Sequence, residues 1–94
     1  MKNKGAAERL KQHDETALEE IINTYTPYVS TIIYNVTKGS LSVADMEEVS
    51  ADVFITLWKN SQKVNDETLK GYLAAIAKSR AKELFINNFS FLIV

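Results

Sequence analysis

The sequence contains no cysteine. Disulfide staples and thiolate metal sites are therefore excluded, and the absence fits a reducing, cytoplasmic setting. One proline and three glycines are too few for a turn-rich all-β fold. The only histidine, His13, lies in a polar stretch without ligand partners around it. Metal and catalytic sites demand such partners, so His13 reads as structural or solvent-facing. No apolar run reaches the about 20 residues that span a bilayer, and the charged N-terminus lacks the hydrophobic stretch of a signal peptide. A cytoplasmic protein with no membrane contact is expected. Net charge is −1, so no overall basic field marks a nucleic-acid binder. There is no nucleophile beside a base and no glycine-rich phosphate loop. The chain reads as a non-enzyme without a cofactor. Asp45, Glu47, Glu48 and Asp52 form an acidic cluster, but only Glu48 and Asp52 share a clear helix face. No metal site is expected from such a pair.

What is present is helical periodicity over 94 residues, enough for one domain with one modest core. Residues 6–12 predict a short helix. Asp14 is a favoured N-cap for a long helix in which Leu18, Ile21, Ile22, Tyr25, Val29, Ile32, Ile33 and Val36 recur at three- and four-residue steps. Pro27 interrupts it. It either kinks one helix or divides two, with Thr26 capping the second. Gly39 ends the element. Ser42 and Asp45 resemble a capping box opening a helix over residues 43–60. After a polar loop, Asp66 is expected to cap a last helix through Leu69, Leu73, Ile76, Ala77 and Leu84. The fold class is a small all-α bundle of three to four main helices.

Two faces stand out. In "ADMEEVSADVFITLWKN", Met46, Val49, Val53 and Leu57 make the core stripe. The opposite face carries Glu48, Asp52 and Lys59, but also Ile55, with Trp58 at its edge. On the last helix Gly71, Ala74, Ala75, Lys78 and Lys82 form an outer face. This is either a plain solvated surface or a flat positive one that a phosphate backbone can approach. Arg80 projects onto the apolar side, where it must snorkel or pair with a carboxylate.

"DMEEVSADVFITLW" resembles the core-polymerase-binding helix of bacterial RNA polymerase sigma factors of the extracytoplasmic-function type. "LKGYLAAIAKSRAKELF" is similar to the helix that follows it in that family, and "ERLKQHDETALEEIINTYTPYVSTIIYNV" to the helices that precede it. The resemblance covers about residues 8–85. It implies the promoter-opening domain, domain 2. Asp45, Glu48, Asp52 and Ile55 would then bind the clamp helices of the largest β-type subunit of core RNA polymerase. An aliphatic anchor with a charged rim suits such an interface. The loop and last helix would read promoter DNA at the minus-ten element, mainly as non-template single strand with a flipped base. By position this falls to Lys63, Asn65, Lys70, Tyr72, Lys78, Ser79 and Lys82. Tyr72 stands where the family often has Trp, and it reads equally as a core aromatic. An anti-sigma factor is a further partner the resemblance implies. The sequence departs from the family pattern at Ala51, usually Gln, and at Ser79, usually Asn.

The ending departs further. Residues 1–86 read as the bundle, and residues 87–94 as an apolar tail in place of basic residues and a second DNA-binding domain. "FINNFSFLIV" carries no charged side chain. The tail is expected to leave the helix near residues 87–88, as a strand or extended segment, and to make a homodimer. The alternative function is therefore a self-associating, sigma-like interaction bundle without promoter activity.

Overall fold

The computed structural model describes the backbone of residues 5–93 and the side chains of residues 5–87. Four α-helices follow one another: α1 (Ala6–Leu10), α2 (Glu15–Thr37), α3 (Val43–Lys59) and α4 (Leu69–Ile93), with a 3-10 turn at Ser61–Lys63 before α4. Among the described residues there is no strand. α2 and α3 pack on each other, and α4 packs on both. The expected all-α bundle is what forms.

The helix starts follow from local chemistry. Asp14 accepts from the Thr16 N–H at 2.9 Å, and Ser42 Oγ accepts from the Asp45 N–H at 3.1 Å. Each satisfies a donor that the first helical turn leaves unpaired. α2 ends with Lys38 and Gly39 both in the left-handed region, and the Gly39 N–H returns to the Tyr34 carbonyl at 3.1 Å. A Cβ on Gly39 would meet the Tyr34 ring at 2.9 Å, so both conformation and space call for glycine.

Pro27 resolves as one continuous helix. The missing bond falls on the exposed side, where Asn23 and Pro27 both face solvent and water can take up the freed carbonyl. Thr26 caps nothing; its hydroxyl donates back to the Ile22 carbonyl at 2.6 Å.

Two expectations are corrected. Asp66 does not cap the last helix. Its carboxylate accepts from the Gly5 and Ala7 N–H groups at 2.8 and 2.9 Å, tying α1 to the far end of the chain. The α4 cap is instead Asn65, reciprocal with Thr68: Oδ1 accepts from the Thr68 N–H and Thr68 Oγ1 from the Asn65 N–H. Nor does the tail leave the helix at residues 87–88, since α4 runs on to Ile93. Extending a formed helix costs little once its nucleus exists, and this outweighs the strand preference of "FLIV". Whether tail side chains beyond Asn87 pack on a second copy lies outside the described residues.

The core joins Ile21, Val29 and Ile33 of α2, Val53, Phe54 and Leu57 of α3, and Leu69, Leu73, Ala77 and Ala81 of α4. α1 closes one end with Ala6 and Leu10. Arg9 clamps it to α2 through a two-pronged bond to Glu20, at 2.6 and 3.1 Å. That bond raises the guanidinium's pKa above its ordinary value. Replacing Asp66 with alanine strands two N–H groups at the start of α1 and is expected to cost about 1–2 kcal/mol. A urea titration should show the lower midpoint, with α1 the first segment to exchange its amide hydrogens.

Candidate functional site

Asp45, Glu48, Asp52 and Ile55 follow at steps of three, four and three residues, so α3 carries them as one stripe. Asp45 sits half-buried in the first turn, and Glu48 is exposed. Ile55 is 51 % exposed, an apolar side chain standing in solvent one turn from Asp52. The outward isoleucine expected from the sequence is real.

Ile55 lies on a ridge between two grooves. One, of about 740 Å³, runs between α2 and α3. Leu18, Ile22, Met46, Phe54 and Trp58 line it, with Val43 at its mouth. The other, of about 480 Å³, runs between α3 and α4 and is lined by Glu48, Asp52, Arg80, Glu83 and Leu84. Ile55 and Ala51 belong to both. Phe54 is buried and was absent from the sequence-derived stripe. It stands four residues before Trp58, and widening the stripe by one position would have included it.

Arg80 finds its carboxylate across the second groove. Its Nε lies 3.0 Å from Asp52 Oδ2, and its Nη1 lies 3.8 Å from Glu83 Oε1. The side chains of Arg80 and Asp52 are 40 % and 48 % exposed, so water screens the pair. Asp52 therefore already holds a cation of its own chain. Any outside cation on this face competes with Arg80. His13 stands at the other end of α3, exposed, its ring edge-on to Trp58 at 5.1 Å.

The seven residues expected to meet DNA separate into groups. Lys78, Ser79 and Lys82 are exposed on α4. By helical spacing, Lys78 and Lys82 share a face with exposed Gly71 and Ala75, while Ala74 is half-buried at its edge. Lys63 is exposed at the end of the 3-10 turn. Lys70 turns toward α2 and lies 4.9 Å from the centre of the Tyr28 ring, a cation–π contact. Asn65 is engaged as the α4 cap. Tyr72 is half-buried against the core, which favours the core-aromatic reading. All four lysines of this set are exposed, and Lys70 is engaged over Tyr28, which leaves Lys63, Lys78 and Lys82 as the exposed cations outside that contact.

Among the described residues, no cluster of three or more histidine or acidic side chains is arranged to hold a metal. No helix among them is long and apolar enough to cross a membrane. Compared with known proteins, the chain matches no family model, no curated protein and no solved structure.

A double-mutant cycle with Asp52→Ala and Arg80→Ala is expected to give a coupling of about 0.5–1 kcal/mol, as for other half-exposed pairs. Chemical denaturation of the four proteins measures it, and the coupling should shrink at high salt.

Proposed function

We propose that the chain is a transcription-initiation domain of the extracytoplasmic-function sigma type. It binds the clamp of core RNA polymerase through the outward face of α3 and engages minus-ten DNA through α4. The observation that carries this reading is Ile55. It is half-exposed on a helix whose neighbouring outward positions are Glu48 and Asp52, as the resembling helix requires. An exposed isoleucine alone needs no explanation. One set at the centre of a charged stripe gains a purpose as an anchor that a partner desolvates.

Core RNA polymerase captured on the immobilised chain tests this directly. Ile55→Glu is expected to weaken capture by tenfold or more, about 1.4 kcal/mol, while far-UV circular dichroism stays unchanged. Equal capture by parent and variant would remove α3 from the interface, and no capture by the parent would remove the function.

Nucleic-acid binding follows from the same reading and is weak. Three usable cations release few counterions. A labelled single strand should therefore bind with a log–log salt slope of roughly −2, and a duplex hardly at all. A fluorescence titration at several salt concentrations measures the slope. Lys82→Ala should make it shallower by roughly 0.7.

The second reading, a self-associating bundle without promoter activity, is favoured by the uncovered apolar groove between α2 and α3.

A further inference from the structure

The four tyrosines of the chain are not held alike. Tyr25 and Tyr72 pack against the core. Tyr34 is largely exposed and lies close to Gly39. Tyr28 is half-buried, and its ring meets Tyr25 and Lys70. The Tyr25 ring stands at 68° to it, with the centroids 6.4 Å apart. Because Tyr25 is anchored on the core, this edge-to-face contact fixes the plane of the Tyr28 ring. Over that plane lies the ammonium of Lys70, 4.9 Å from the ring centre. Lys70 is itself exposed. The cover on that face of Tyr28 is therefore the tip of a flexible side chain that reaches into solvent.

An exposed cation–π contact is weak, and a nucleobase stacked on an aromatic ring is held more strongly. An unpaired base can therefore take the place of the ammonium. Cations that can receive the phosphates of its strand lie along the same helix. Lys70, Ala74, Lys78 and Lys82 succeed one another at four-residue steps, so they form one row on α4. From Lys70 the row runs about 18 Å at a helical rise of roughly 1.5 Å per residue. Ala74 keeps it free of bulk between the first two lysines. We propose that Tyr28 is a base-stacking platform for single-stranded nucleic acid, and that Lys70 covers its face until a base displaces it. Tyr25 fixes the ring beforehand, so stacking freezes little side-chain freedom. In a duplex the bases stack on one another, and none can reach the ring without being extruded. The platform thus adds a preference for single strands that the attraction of lysines for phosphate cannot supply. It rests on the single-strand part of the proposed function, not on polymerase binding, and it extends the contact surface from α4 onto α2.

Fluorescence anisotropy with a labelled oligothymidine strand, and with an abasic strand of the same length, tests this. Tyr28→Phe is expected to bind oligothymidine as the parent does. Tyr28→Leu keeps apolar bulk but has no aromatic face. It should bind oligothymidine about fivefold or more weakly, with an unchanged salt slope because no phosphate contact is lost. The abasic strand should bind the parent and Tyr28→Leu alike. Parent-like binding of oligothymidine by Tyr28→Leu overturns the proposal and leaves the lysine contacts of α4 standing. An equal loss on both strands also overturns it, because the substitution would then act only by disturbing the lysine row. Should Tyr28→Leu lose its helical circular dichroism, NMR of the parent decides. The Tyr28 ring protons should shift upfield on adding oligothymidine and not on adding the abasic strand, and the absence of that difference overturns the proposal. A parent that binds neither strand removes the platform together with the nucleic-acid part of the proposed function, whereas polymerase capture is measured separately.

Discussion

The buried seam of α4 sets the arrangement of everything else. Leu73, Ala77 and Ala81 are sealed from solvent, and two of the three are no larger than a methyl group. Small side chains at a helix crossing let the backbones approach closely. α4 can therefore lie against α2 and α3 at once. With both neighbours held by α4, the far side of the α2–α3 junction has no helix to fill it, and the large groove opens there. The same seam fixes which faces turn outward: the acidic stripe of α3 and the lysine face of α4. A larger residue at Ala77 would push these helices apart and disturb both surfaces, although it touches neither.

Local rules carried most of the architecture. Asp14 and Ser42 were legible as caps because their partners lie two and three residues away. The core stripes were legible because burial repeats with the helical period. What the sequence hid was long-range. Asp66 has the composition of a cap, and nothing nearby says that it serves α1 from about 60 positions away. Asn65 and Thr68 were the better local signal, since they satisfy each other. The tail misled for a different reason. Its residues favour strands one at a time, but a helix already nucleated adds each further residue cheaply.

The candidate site was legible in part. Spacing alone put Ile55 outward and required Arg80 either to snorkel or to pair with a carboxylate. It could not name Asp52 as that carboxylate, because the pairing depends on how α3 and α4 align. Spacing grouped Lys78 and Lys82 on one outer face, and only the resemblance added Lys70, which is drawn to Tyr28 on α2.

Ile55 sits on the ridge shared by both grooves, so anything seated in either groove meets the outward face of α3 at the same side chain. Arg80 acts on the other flank. It offsets the charge of Asp52 at 3.0 Å and reaches Glu83 at 3.8 Å at the same time. Because Arg80 belongs to α4, the acidic stripe of α3 and the helix that carries Lys78 and Lys82 are joined by one charged side chain.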